Sequence, residues 1–491
     1  MRSSLKTLSS ILLLATVAPA CSDTAASVTC DAAHTEDVVG DVAVDTANDT
    51  AQDVASDADA RVDVVDATTD VADAATDGGD ASTDVAMDAT DVTDAVTEAG
   101  TDAASEAVAD AGDAGPTRCP ACSGDGCTIV EVSTGARYSC ARRASGEVLC
   151  WGDNTLGQLG DGTTTSSSRP VSVLGLCDAV EIEAGSGSAC ARRRSGQVSC
   201  WGWNGSGELG TGRTSADLRN STTPLDAMGL DDAVAIDGGS GFFCAVRRSG
   251  RVSCWGTNRA QQLGDGSTVT GSATPVNVSG IFDASQVAAA QSACALRVGG
   301  QVVCWGVNYR GRLGTGTADN APLPAMMVGV SDAVGVGASV WHGCVVRASG
   351  AVACAGDNAV GELGTAASAD PVLTATLVPG VTGAVDVATG YRFSCALLRD
   401  GTVTCWGKND LGELGRGSTS PFAEAGAVPG LTDVVQVTAH GPQDGATEGG
   451  HACALRRNGE VYCWGKNDLG QLGDGSTTQR ASPVRVVFTA P

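Results

Sequence analysis

A motif written seven times constrains this chain more than any other property of its sequence. Its cleanest copy runs Cys395-Ala-Leu-Leu-Arg-Asp-Gly-Thr-Val-Thr-Cys405-Trp406-Gly407-Lys-Asn409-Asp-Leu-Gly412-Glu-Leu414-Gly415. The other copies begin at Cys140, Cys190, Cys244, Cys294, Cys344 and Cys453, so successive starts lie 50 to 58 residues apart. A fixed period of this size marks a repeat architecture, in which each unit buries its apolar faces against its neighbours.

Nine residues separate the two cysteines of every copy, and the sixth of them is always glycine, Gly146 in the first copy and Gly401 in the sixth. A three-residue hairpin loop ends on a left-handed residue, and glycine takes that conformation without strain. With the loop at 144–146, Arg143 faces Glu147 and Cys140 stands opposite Cys150. Directly opposed residues of an antiparallel pair lie within disulfide reach. The reading is seven cross-strand disulfides: Cys140–Cys150, Cys190–Cys200, Cys244–Cys254, Cys294–Cys304, Cys344–Cys354, Cys395–Cys405 and Cys453–Cys463. Seven pairs of buried reduced cysteines are the alternative.

Strand alternation puts Val148 and Cys150 on one face and Leu149 and Trp151 on the other, so both faces are apolar and covered. A tryptophan follows the second cysteine in six copies, and Ala355 takes its place in the fifth. The asparagine that follows in all copies, from Asn154 to Asn467, reads as turn chemistry. Two further apolar stretches precede each first cysteine, as in Pro170-Val-Ser-Val173 and Ala179-Val-Glu-Ile-Glu-Ala184. Four short strands per repeat, seven times over, describe an all-β, seven-bladed β-propeller. The chain ends on Pro483-Val-Arg-Val-Val487, and the first copy lacks such a strand ahead of it. Circular closure is therefore expected, with the C-terminal strand completing the first blade.

The charge of the chain is unevenly placed. Residues 22–118 hold 25 acids against two bases, whereas residues 119–491 hold 32 acids and 26 bases. No basic stripe exists to release counterions from nucleic acid, so none is expected as a partner. The acidic stretch, with an Asp or Glu every three or four residues and almost nothing to bury, reads as a self-repelling linker. Ahead of it, Arg2 and Lys6 precede a short apolar core, Ile11 to Val17, ending Ala18-Pro19-Ala20-Cys21. That is a secretory signal, too short for a mature span. The small residues before Cys21 resemble a bacterial lipobox, which makes Cys21 the lipidation site; cleavage after Ala20 without lipidation is the alternative. Export implies an oxidising compartment, where cysteines pair. Cys119, Cys122 and Cys127 then form a small disulfide knot, with a zinc site shared with Cys177 as the other reading; their pairing, and that of Cys30, is open. The expected organisation is a signal peptide (1–20), a lipid-anchored linker (21–118), the knot (119–127) and the propeller (128–491).

The pattern Cys-Ala-Leu-x-x-x-Gly-x-Val-x-Cys-Trp-Gly-x-Asn-x-x-Gly-Gln/Glu-Leu-Gly resembles the regulator of chromosome condensation repeat family, over about 128–491. The resemblance implies the seven-bladed propeller and a habit of binding proteins on one propeller face, as in secreted members that inhibit β-lactamases. The nucleotide exchange on a small nuclear GTPase and the chromatin binding known in the family are not expected here. Export, the acidic balance and the lack of a basic tail argue against both.

No HExxH, GxSxG, phosphate-binding loop or dinucleotide fingerprint occurs, and neither an enzyme activity nor a cofactor or metal is expected. Binding residues are sought among positions that vary between copies, because the shared ones serve architecture. Just before the first cysteines stand Tyr138, Phe242, Phe243, Trp341, His342, Tyr391, Arg392 and Phe393; Trp203, Tyr309 and Arg310 follow the Trp-Gly turns. Together they make an aromatic and arginine patch, the composition of binding hot spots. Space-filling between blades is the alternative for some of them. The longer loop from His440 to Gly450 is a second candidate contact. The reading is a lipid-anchored protein-binding module facing periplasm or cell surface, touching the membrane only through its anchor, with an exported protein as partner. A carbohydrate or cell-wall binder is the alternative, and an enzyme a more distant one.

Overall fold

The computed structural model describes residues 117–441 and 449–488, and in it the seven copies form seven antiparallel four-stranded sheets. Blade one shows the plan. Strands β1 (Ile129–Thr134), β2 (Tyr138–Arg143), β3 (Val148–Gly152) and β4 (Ser167–Ser172) lie side by side in chain order. The β2–β3 hairpin has the expected three-residue loop: Arg143 N donates to Glu147 O at 2.8 Å, Gly146 N donates to Arg143 O at 3.0 Å, and Gly146 has φ +100°. Cys140 pairs with Cys150 across the ladder, as do its counterparts in the other blades. All seven pairs are bonded, with Cα atoms 4.0–4.1 Å apart. The cysteines before the first blade pair as Cys119–Cys177 and Cys122–Cys127, which ties residue 119 to the connection between blades one and two. Cys21, Cys30, the signal and the linker lie outside the described residues.

Each blade uses both faces. Cys140, Val148 and Cys150 pack with Ile182 and Trp201 of blade two, whereas Ala141, Leu149 and Trp151 pack with Cys453, Leu455 and Cys463 of blade seven. A disulfide thus lies against the next blade and a tryptophan against the previous one. The six repeat tryptophans are fully buried. Each indole N–H donates to a main-chain carbonyl of the preceding copy, as in Trp201 to Gln158 (2.9 Å), Trp406 to Glu362 (2.9 Å) and Trp464 to Glu413 (2.8 Å). Burial of the ring and satisfaction of its donor explain why this position tolerates so little change. The asparagines are turn chemistry, as expected: Asn154 Oδ1 accepts from Leu159 N at 2.9 Å while its Nδ2 donates to the Thr163 and Thr165 carbonyls.

The ring closes without an exchanged strand, which corrects the expectation. The last strand, Arg480–Arg485, pairs with Val461–Gly465 of its own blade. The Pro-Val stretch that seemed to open each repeat is the outer, fourth strand of the blade whose hairpin precedes it. Blades one and seven are joined by packing and by hydrogen bonds that include Trp151 Nε1 to Gln471 O (2.9 Å), Val132 N to Gln436 Oε1 (2.9 Å), Ser139 Oγ to Gln471 O (3.0 Å) and Gly475 N to Ser168 O (3.0 Å). In every blade the β1–β2 turn and the β3–β4 connection open on one face of the ring, and the cysteine hairpin turn opens on the other.

Candidate functional site

The predicted contact residues divide in two. Tyr138, Phe242, Phe243, His342 and Phe393 are fully buried, and this removes them from the contact surface. The second strand of each blade already begins at or before them, so strand alternation carries them inward. Phe242 joins Cys244 and Cys254 in one interblade cluster, and Phe393 joins Cys395 and Cys405 in another. Phe243 points the other way and stacks on Trp255 at 6.0 Å between ring centres. The Tyr138 hydroxyl donates to Ser188 O at 2.6 Å. His342 sits between Ser339 Oγ (3.0 Å) and Ser394 Oγ (2.6 Å), and burial lowers its pKa to about 3.

Five of the remaining six come together on the turn face of blades four to six. Tyr309 follows the third strand of blade four, Trp341 precedes the hairpin of blade five, and Tyr391 and Arg392 precede that of blade six. Tyr309 and Trp341 meet edge to face with centres 6.1 Å apart, as do Trp341 and Tyr391 at 6.2 Å. The Arg392 guanidinium lies 3.8 Å over the Trp341 ring, a stacking geometry that fixes both groups. Tyr309 is 58% exposed. Trp203 stands apart in blade two, under Arg219 at 5.4 Å.

A buried carboxylate binds the cluster across blades. Asp357, 3% exposed at the end of Val352–Asn358, holds Arg310 Nη2 at 2.7 Å and Arg392 Nη1 at 3.1 Å. Arg392 Nη1 also lies 2.6 Å from Glu362 Oε1. The hydrogen bond to Asp357 raises the pKa of Arg310, while burial raises that of Glu362 against the pull of Arg392. Arg310 (φ +64°) and Arg392 (φ +62°) are two of the four non-glycine residues with positive φ among the described residues. Such backbone costs roughly 1–3 kcal/mol and persists only where surrounding contacts hold it.

This cluster sits where the repeat departs from its own pattern. In six copies the residue before Leu-Gly is Gln or Glu, and its side chain accepts a main-chain N–H two residues earlier, as Gln158 does from Leu156 (2.8 Å) and Glu413 from Leu411 (2.8 Å). Copy four has Arg312, which cannot accept. Its Nε donates instead to Tyr309 O at 3.1 Å, and residues Tyr309–Gly311 coil into a short 3-10 turn. The residue facing this turn departs too, since Ala355 replaces the tryptophan of blade five. Met327 takes up part of the vacated volume, so that a Cβ on Gly314 meets Met327 and Ala355 where its counterparts, such as Gly415, meet tryptophan. Sequence reading singled out Ala355 but not Arg312 or Asp357. The missing Gln/Glu in copy four was the available signal.

Tyr309, Trp341 and Tyr391 line a cavity of about 210 Å³. A larger one, about 410 Å³, opens on the hairpin-turn face and is lined by equivalent positions of three blades, such as Ala348, Arg399 and Arg457. Of the loop from His440 to Gly450, residues 442–448 lie outside the described residues; its flanks His440 and His451 face each other in the ladder.

Family models for the regulator of chromosome condensation (RCC1) repeat match residues 129–158, 179–208, 233–262, 384–413 and 449–471, and a second model of that repeat matches 145–192. The chain is 40% identical over 101 residues to the E3 ubiquitin-protein ligase HERC2 of Homo sapiens, covering 21% of this chain and 2% of that protein. It is 32% identical over 115 residues to protein RCC2 of Homo sapiens, covering 22% and 21% of the two chains. The matches thus span a small part of these relatives. Among solved structures, yeast RCC1 (Prp20) aligns with TM-score 0.61 at 20% identity over 70% of this chain and 84% of that one. Human WBSCR16 aligns with TM-score 0.60 at 20% identity, over 70% and 95%. Matched repeats and blade geometry together show a seven-bladed β-propeller that carries regulator of chromosome condensation (RCC1) repeats.

Proposed function

We propose that the propeller is a protein-binding module of an exported, lipid-anchored chain, and that the rim of blades four to six is its contact surface. One observation carries this reading. The only cluster joining an exposed aromatic, a stacked Trp–Arg pair and bridged arginines, among the described residues, lies where two successive copies abandon the shared pattern. Hot spots combine Trp, Tyr and Arg in this way, held rigid before the partner arrives. Yeast Prp20, which shares the fold, has been seen bound to Kap60 and studied for its binding to Gsp1p and histones. The partner here is taken to be another exported protein rather than a small GTPase or chromatin, because the leader argues for export and the acidic balance against nucleic acid. Catalysis has no role in this reading: the buried, neutral His342 and His451 pack blades together.

The test uses the full chain carrying Cys21→Ser, incubated separately with exported proteins and with isolated cell-wall material. Stable retention of a protein supports the reading. Retention of wall polysaccharide without any protein favours the carbohydrate alternative and contradicts it.

A further inference from the structure

The cavity at the rim holds a cation with no ion-paired partner. Arg312 is 3% exposed and makes no ion pair among the described residues. Its Nε donates to Tyr309 O and its Nη1 to Gln291 Oε1 at 3.0 Å, leaving Nη2 without a hydrogen bond among the described residues. Burial lowers its pKa to about 10. A buried charge satisfied only by neutral dipoles is costly, and sites that keep one usually meet an opposite charge.

The rest of the lining has the same character. Gln291, Tyr309, Arg312, Trp341 and Tyr391 are joined by two valines and no acid, in a chain with 57 acidic and 30 basic residues. The oxygen of Gln291 is committed to Arg312, so its amide offers donors. The lining residues thus offer hydrogen-bond donors and no carboxylate. Asp357 attracts Arg312 through space but makes no ion pair with it, since Asp357 and Glu362 are engaged by Arg310 and Arg392. A cavity of about 210 Å³ falls below the roughly 300–1,000 Å³ of sites for cofactors and drug-sized ligands. It suits one side chain or one chain end, with aromatic walls for its stem.

We infer that this cavity receives a single carboxylate of the bound protein, either an Asp or Glu side chain or a free C-terminus, with Arg312 as its counter-charge. The inference rests on the reading of the rim as a protein-binding surface and names the chemistry the partner presents there. Placing Arg in the position of the repeat's Gln or Glu serves this end: it replaces an acceptor by a donor at one of seven otherwise equivalent turns.

The probe is 3-phenylpropanoate, compared with its neutral isostere 3-phenylpropanamide, titrated into the full chain by calorimetry and tryptophan fluorescence. The acid is expected to bind at least about tenfold more tightly, as a charge-assisted contact requires. Arg312→Gln, which restores the residue of other copies and so suits the fold, is expected to erase that preference, and Arg312→Lys to keep part of it. Equal binding of acid and amide, no binding of the acid, or a preference that survives in Arg312→Gln overturns the inference. Acetylated tripeptides then separate the sources: a preference for Glu over Gln at the centre identifies a side chain, and one for a free over an amidated end identifies a C-terminus. Partner capture read in parallel keeps the two proposals apart. If Trp341→Ala abolishes capture while the acid shows no preference, the rim stands and the carboxylate pocket falls.

Discussion

Arg310 Nη2, in the turn after the third strand of blade four, lies 2.7 Å from Oδ1 of Asp357 at the end of the third strand of blade five. The same carboxylate reaches Arg392 of blade six, so one buried acid links three blades at the rim. Hydrogen bonds between charged groups contribute about 1.5–3 kcal/mol when partly shielded. Asp357→Asn is therefore expected to cost about 1–3 kcal/mol, read from the denaturant midpoint with disulfides intact. It also removes one partner from each of two arginines with positive φ, so the rim loses order before the rest of the ring does, as hydrogen exchange at residues 309–311 and 391–393 will show.

Blade five tests whether the missing tryptophan is a vacancy or a repacked joint. Met327 already occupies space beside Gly314 and Ala355, so Ala355→Trp overpacks the joint and is expected to destabilise by about 1–3 kcal/mol. Adding Met327→Val, which copies the residue at 378 and 428, is expected to recover part of that loss. A double-mutant cycle on thermal or urea unfolding measures the coupling.

Two buried groups give opposite dependences on pH. His451 is fully buried, its Nε2 lies 2.8 Å from Ser139 Oγ, and burial lowers its pKa from 6.5 to about 3. The unfolded chain takes up this proton below 6.5 and the native chain does not, so stability is lost as pH falls from 6.5 towards 3. His451→Phe copies Phe242 and Phe393, and its melting temperature is expected to gain on the native chain as pH drops through this window. Burial raises Glu208 from 4.5 to about 7. Its native proton is retained while the unfolded chain loses it, so stability falls as pH rises from 4.5 to 7. Glu208→Gln, the residue of copies one, three and seven, is expected to gain over that range instead.

The nine disulfides among the described residues use 18 of the chain's 20 cysteines. Thiol titration of the denatured, unreduced protein is expected to find at most the two at positions 21 and 30. About fourteen titratable thiols, the number in the repeats, would contradict the paired blades.

The hairpin, its glycine and the pairing of Cys140 with Cys150 were legible because a local loop fixes local register. The phase of the blade was not. Pro483-Val-Arg-Val-Val487 looks like an orphan strand when the period is cut before it, and like an outer strand when cut after it. A periodic sequence is indifferent to the cut, and only the pairing of Arg480–Arg485 with Val461–Gly465 decides. The same uncertainty about where strands begin turned buried Phe242, His342 and Phe393 into candidate contacts. Tyr309, Trp341, Tyr391 and Arg392 were found because they depart from the consensus. Asp357 escaped notice because its role depends on arginines from two other blades, a proximity that sequence spacing does not reveal.

The central claim is that function resides where the copies differ, at the rim of blades four to six. The direct measurement compares partner capture by the Cys21→Ser chain with and without Trp341→Ala, using Trp203→Ala as the matched change in blade two. A stably captured exported protein is expected to be lost on changing Trp341 and kept on changing Trp203. Capture that is unaffected by Trp341→Ala, in a variant whose melting shows it folded, contradicts it.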